Sequence, residues 1–321
     1  MTISTTSAPV SMASNAAFQA WVSEVISNLV TTCGLTQTTD TGQINTSTVT
    51  IPTAQDTSAG YVILRFNDAL QTATPTSPNT TASVFVKLEF GTGANSVTNP
   101  NMWITVGTGS DGAGTLTGVV GTRMTICQNT SSLASTTTSY KSYYMYNSTL
   151  GVAGMVFKVG AASINGNAIT QSYGGFYIFR SNDSSGNPTG DSINVIALNG
   201  TYSTGDVFMN CISFISGLTY IGTIWSILPL SAAGVSGYTS NYNGNTQVFP
   251  IFYQTPYYSI SAFGAIGSTF DFSVGGTFTM TLMGSTSHTF LSAGQMFGSY
   301  YVNNSSTGDS SNQNSFLMIW E

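Results

Sequence analysis

From Ala59 to Leu116 the chain alternates apolar and polar side chains with a period of two, and this alternation leaves it few folds to choose from. Tyr61, Ile63 and Arg65 interleave with Val62, Leu64 and Phe66. Val84, Val86 and Leu88 interleave with Phe85, Lys87 and Glu89, and Met102, Ile104 and Val106 with Trp103 and Thr105. Such a period puts alternate residues on opposite faces of a sheet, so three strands of an antiparallel meander are predicted. Arg65, Lys87, Asp68 and Glu89 fall in these strands and their flanks, with Arg123 just beyond. In a chain where only 6% of residues are charged, this concentration predicts cross-strand pairing. Each pair is worth roughly 0.2–1 kcal/mol, enough to set register more than stability.

Outside the meander the same alternation recurs, with one exception. Phe18, Trp21, Val22, Val25, Ile26 and Leu29 follow the 3.6-residue period, with Ser14 or Asn15 as N-cap and Gly34 as terminator, which predicts one amphipathic helix over about residues 15 to 32. That helix either crosses a sheet of its own chain or packs on a symmetry mate. Gly34 to Pro52 fits two short edge strands around an Asp40-Thr41-Gly42 turn. Thr122 to Asn129, Tyr140 to Asn147 and Gly154 to Gly160 read as strands, and Gly174 to Arg180 with Asp191 to Leu198 as a hairpin with a polar tip. Strands are also expected near Val207 to Phe214 and Leu218 to Ile227, then in QVFPIFYQTPYYSI, STFDFSVGGTFTMTLMGSTSHTFL and SFLMIWE. The expected fold is mostly β, with antiparallel sandwich-type sheets in one body or two subdomains and a single N-terminal helix. Three regions result: an arm at 1–13, a helix plus β-meander domain at 14–130, and a β-rich C-terminal region at 131–321.

Composition narrows the function. Hydrophobic residues make up 41% of 321 residues, and the charged 6% compares with about 25% in ordinary soluble domains, so the polar surface is built from Ser, Thr, Asn, Gln and Gly. Six basic residues spread over a chain of net charge −6 argue against a nucleic-acid surface, which needs clustered cations. The run Ile212 to Leu230 is long and apolar, yet Ser, Thr, Gly and Pro interrupt it and β-formers dominate, so strands and no membrane insertion are expected. MTISTTSAPVSMASNAAF has no basic segment followed by an apolar run and does not read as a secretory signal. The arm holds little apolar surface beyond Ile3, Val10 and Met12, so its ordering is expected to need a partner surface. Cys33, Cys127 and Cys211 are far apart and read as buried thiols.

Candidate sites are few. Gly107, Gly109 and Gly112 match G-x-G-x-x-G after a strand, but AGTLTG continues as β-type sequence where a phosphate site needs a helix N-terminus, so no cofactor is expected. His288 is the only histidine and has no nucleophile motif beside it. Asp111, Asp183, Asp191 and Asp271 are the acids to weigh as a glycosidase pair, each in a turn context where Asp commonly caps its own backbone. The tips at 110–114 and 182–191 lack the ligand series of a calcium loop, and no metal is expected. The candidate contacts with a neighbouring subunit or a glycan are Phe18 and Trp21, the cluster Tyr140, Tyr143, Tyr144 and Tyr146, and the pair Tyr257 and Tyr258. Tyrosine joins contact area to a hydrogen-bonding tip, although ordinary sheet-face aromatics fit equally well.

DTGQIN at 40–45, GYVILRFNDALQ at 60–71, VFVKLEFGTG at 84–93, WITVGTGSDGAGTLTG at 103–118, GGFYIFRSNDSSGNPTGD at 174–191 and the closing GTFTMTLMGSTSHTFL together resemble a group of uncharacterised virion proteins of tailed bacteriophages. Cys211 to Tyr242 lies outside the resemblance, which leaves a lineage-specific insertion open there. The resemblance implies a structural, non-enzymatic role in the tail, baseplate or an adaptor, in a virion assembled in the host cytoplasm, with copies of the chain and other virion proteins as partners. No site residue carries over from it. A second class of function stands beside it, a host-surface module that binds bacterial polysaccharide, with a glycan-cutting enzyme a distant third.

Overall fold

A computed structural model of the chain describes residues 2–5, 10–66, 84–94, 96–118, 120–128, 141–147, 151–159, 172–182, 188–201, 207–215, 218–223, 248–255, 258–268, 277–281, 287–295 and 315–320, with side chains at most of these positions between Val10 and Ala197. The arm contributes strand β1 (Thr2–Thr5), and helix α1 (Asn15–Thr31) follows. Ser14 caps the helix, its hydroxyl accepting from the Ala17 N–H at 3.1 Å. At the other end Cys33 N–H donates to the Asn28 carbonyl and Leu35 N–H to that of Leu29, both at 3.0 Å. The turn out of the helix falls on Gly34, at φ +66°, where a Cβ would also stand 2.7 Å from Cζ of Tyr146.

The meander follows as β2 (Thr36–Gln37), β3 (Ser58–Phe66), β4 (Val84–Thr92) and β5 (Pro100–Gly107), with a two-stranded hairpin of β6 (Gly109–Ser110) and β7 (Leu116–Thr117), then β8 (Val120–Gln128). These form an antiparallel five-stranded sheet ordered β2-β3-β4-β5-β8. Its register sets Val62 opposite Leu88 and Leu88 opposite Ile104, so the predicted apolar set shares one face. Only one of the two strands expected between Gly34 and Pro52 forms. Beyond β2 the edge of β3 is met by a side chain in place of a ladder: Gln43 Oε1 accepts from Ile63 N–H at 2.9 Å, and Ile44 N–H donates to the Tyr61 carbonyl at 2.7 Å.

A seven-stranded sheet is ordered β1-β9-β10-β11-β12-β13-β14, from β9 (Lys141–Asn147), β10 (Val152–Val159), β11 (Ser172–Asn182), β12 (Pro188–Thr201), β13 (Val207–Ile215) and β14 (Leu218–Thr223). The expected hairpin about residues 182–191 is β11 beside β12. Of the apolar run from Ile212, residues 212–215 lie in β13 and residues 218–223 in β14, and no helix among the described residues is long and apolar enough to cross a membrane. A third sheet is ordered β15-β16-β19-β18-β17, from β15 (Val248–Thr255), β16 (Tyr258–Ser268), β17 (Thr277–Thr281), β18 (Ser287–Gln295) and β19 (Ser315–Trp320). Pro250 sits in β15 at the edge of this sheet, the place in a sheet where proline is tolerated. Two compact units result: residues 1–199 with 209–223, and residues 200–208 with 224–321.

In the first unit one buried cluster unites the helix stripe, the inner face of the five-stranded sheet and the strands β9 to β12. Phe18 and Leu29 are fully buried, and Trp21 meets the ring of Phe90 edge-on at 5.6 Å. Two expectations are corrected here. The core runs across residue 130, because Tyr144, Met155, Phe176 and Ile178 belong to the same cluster as Leu64 and Leu88, so a domain boundary at that point would cut it. The second concerns the arm, whose described residues find cover within their own chain, while α1 takes the first of its two expected positions, on a sheet of its own chain. Thr2 to Thr5 pair with Tyr146 to Tyr143 on β9, and Val10 and Met12 are buried in the shared core.

Candidate functional site

On the face of the five-stranded sheet turned away from this core, two loops distant in sequence are locked together. One is the turn Asp40 to Gln43 beside β3; the other is the tip of the β6–β7 hairpin, Ser110 to Thr115. Asp40 is the link. Its Oδ1 accepts from the hydroxyl of Ser110 and from the Gly114 N–H at 3.0 Å, although 70 or more residues separate them in the chain. Thr41 N–H donates to the Gly112 carbonyl at 3.0 Å, and the Tyr61 hydroxyl donates to the Thr41 carbonyl at 2.5 Å. Beneath them Lys87 places its Nζ 2.8 Å from the Gly114 carbonyl and 4.1 Å above the centre of the Tyr61 ring. A Cβ at Gly114, whose φ is +94°, would overlap the Tyr61 hydroxyl, so only glycine lets the tip come this close.

The local sequence accounts for each half. Asp111 Oδ1 accepts from Ala113 N–H at 2.8 Å and Thr115 N–H at 2.9 Å, the self-capping expected of Asp in a Gly-rich turn. Gln43 Nε2 donates to the carbonyl of Thr38 at 2.7 Å and of Asp40 at 3.2 Å, closing the first loop. Burial pushes the Asp40 carboxyl up, but bonds from Ser110, Thr38, Gly114 and Gly112 outweigh it and hold the group below its ordinary range. Backbone bonds from Thr115 and Ala113 lower Asp111 in the same way. Burial, followed by the charges of Asp40 and Asp111, raises Tyr61.

The cluster is therefore filled from within. A run of N–H groups at a glycine-rich turn can cradle a phosphate, and here those of Ala113, Gly114 and Thr115 all point at the chain's own carboxylates. The Gly107-Thr108-Gly109 run leads into β6 and the hairpin, as its continuation in β-type sequence predicts. Among the described residues no three His, Cys, Asp or Glu side chains gather as a metal set would.

Further along the same face, Arg123 Nε lies 3.0 Å from Glu89 Oε2 while its guanidinium stacks 3.7 Å from the centre of the Trp103 ring. Glu89 and Arg123 thus pair, but from β4 to β8 across the intervening β5 and not between neighbouring strands as predicted for the meander. Lys87 differs: its register neighbours are Ile63 and Thr105, so it turns to a carbonyl and an aromatic ring. Nε of Arg65 is buried without a partner, and Asp68 lies outside the described residues.

The aromatic residues chosen from sequence as contact sites mostly face inward. Phe18, Trp21, Tyr143 and Tyr144 are 0%, 2%, 5% and 0% exposed, so their reading as subunit or glycan contacts is corrected to burial within their own chain, in the shared core for all but Tyr143. Tyr146 is half-buried with its ring against Gly34. Tyr258 opens β16 opposite Thr255 and His288 stands in β18 opposite Met280, with both side chains outside the described residues, as are Tyr140, Tyr257, Asp183 and Asp271. Asp191 lies in β12, known there by its backbone alone. Cys33 is a buried free thiol whose Sγ is 3.4 Å from the Gly154 carbonyl, and burial pushes it up to about 12.

Asp40, Gln43, Tyr61, Ser110 and Gly114 escape a reading by sequence because each half of the clasp looks like an ordinary turn. Their mutual contact depends on the hairpin folding back over β4. No protein-family model, curated protein or solved structure matches the chain.

Proposed function

We propose that this chain is a non-enzymatic structural protein of a tailed-bacteriophage virion, a tail, baseplate or adaptor component assembled in the host cytoplasm and repeated in contact with copies of itself and other virion proteins. The observation that carries the non-enzymatic part is the use made of Asp40 and Asp111, whose carboxylates are spent on the loops' own N–H and hydroxyl groups. A general acid or base needs a proton-transfer site open to a substrate. A rigid β body with a sparsely charged surface suits permanent assembly, since weak self-repulsion favours close packing of copies. The virion part rests on the sequence segments that resemble phage proteins.

The test is quantitative mass spectrometry of purified particles. A structural component appears at a fixed ratio to the other particle proteins in every preparation. Absence from particles overturns the proposal, and a soluble monomer retained on host polysaccharide replaces it with the glycan-binding reading.

A further inference from the structure

Asp111 and Gly112 form the chain's one Asp-Gly sequence, and both are exposed at the hairpin tip. Asp-Gly is the dipeptide most open to spontaneous isomerisation. The backbone nitrogen of Gly112 attacks Cγ of the Asp111 carboxyl, a C–N bond forms as a C–O bond breaks, and water leaves with the amide proton. Hydrolysis of the five-membered imide then adds water across either C–N bond and returns aspartate or isoaspartate. Gly112 brings no side chain to the bond, and the position a Cβ would take has no atom within 4 Å, but its attacking nitrogen is engaged, its N–H donating to Ser110 Oγ at 3.4 Å. What opposes it is the bracing on both sides of the bond. Asp111 Oδ1 is pinned by Ala113 and Thr115, and the Gly112 carbonyl is held at 3.0 Å by Thr41 N–H of the other loop. Asp40 in turn fixes that other loop to Ser110 and Gly114 on either side of the bond.

We propose that Asp111–Gly112 is a latent isomerisation site kept unreactive by the Asp40 clasp. Ring closure requires the Asp111 side chain to leave its two N–H donors and the Gly112 peptide to rotate toward it, and the clasp resists both movements. Carboxylate ionisation works in the same direction, since the imide forms from the protonated acid and the two N–H bonds favour the charged form. Opening the clasp exposes the tip to the chemistry of a free peptide. The proposal is independent of the virion reading and stands or falls without it.

The experiment is isoaspartate mapping of the full chain by peptide mass spectrometry after prolonged incubation, beside a synthetic peptide spanning residues 107–118. Asn165-Gly166, Asn199-Gly200 and Asn243-Gly244 in the same digest act as internal clocks of deamidation. In the intact chain, isoaspartate at 111 is expected to form at least about tenfold more slowly than in the peptide, as for a site that reacts only from a locally opened state. In Asp40→Ala the rate should rise to within about threefold of the peptide while the three clocks keep their pace. Ser110→Ala, which removes one of the two bonds to Asp40 Oδ1, should fall between the two and serves if Asp40→Ala does not fold. An intact chain that isomerises at the peptide's rate overturns the proposal, and so do clasp variants no faster than the unaltered chain.

Discussion

Asp40 bears more of the loop structure than any other charged residue described. Its carboxylate is held by hydroxyls and N–H groups, and Asp40→Asn is expected to cost roughly 1.5–3 kcal/mol at neutral pH, the range for a hydrogen bond to a charged group. The folded pKa lies below the ordinary 3.8, so this stability is fully present above that value and is lost as pH falls through the folded pKa. Thermal melts of the two chains should therefore differ at neutral pH and converge in acid; a gap that persists at low pH would mean the charge plays no part. Cys33 gives the opposite sign. Its thiol stays neutral up to about 12 in the folded chain against 9.0 ordinarily, so its contribution is present below pH 9.0 and is lost as pH rises toward 12. Cys33→Ala should flatten the alkaline decline in stability without abolishing it, because burial also raises Tyr143 and Tyr144.

At the scale of elements, α1 shows which of its residues packing selects. The same six side chains that keep the 3.6 period are the buried ones. A lone helix of 17 residues is marginal in water, so its persistence comes from this stripe. Trp21→Ala should cost about 3–5 kcal/mol, since it removes the contacts with Phe18 and Phe90, whereas Ser14→Ala should cost about 1 kcal/mol through one lost capping bond. Denaturant midpoints of the two variants measure the contrast, and equal losses would place the helix outside the core. Strand β9 behaves differently from its sequence. A half-exposed strand would bury every second residue, but Ser142, Tyr143, Tyr144 and Met145 are all buried, so both faces of β9 are covered.

For the whole molecule, the path of the chain matters as much as its sheets. The first unit takes residues 209–223 back from beyond its own end, adding β13 and β14 beside β12. A chain ended at residue 199 should leave β12 as a bare edge with Asp191 as its single charge and aggregate, since unpaired strand edges template further pairing. One ended at residue 223 keeps the edge paired and should stay soluble for longer. Light scattering of the two truncations compares them, and equal solubility would show that β13 and β14 are dispensable to the first unit.

Local periodicity determined which segments of this chain became helix or strand. The period of two in β3, β4 and β5, the 3.6 period from Phe18 to Leu29, and most of the strands from β8 onward depend on neighbours a few residues away, so the sequence shows them directly, whereas β1 and most of β16 fall outside every segment that reads as a strand. Burial on a second face, and contact between turns, depend on what the fold brings from elsewhere. Tyr143 and Tyr144 sit at successive positions of a strand, where local alternation would put one in and one out, yet the fold buries both. Asp40 looks like a turn residue until the β6–β7 hairpin folds back over Tyr61 and Lys87 and sets Ser110 and Gly114 against it. Those contacts span 70 or more residues, and no local pattern encodes them, because the groups that satisfy Asp40 meet only after the sheet beneath them has formed.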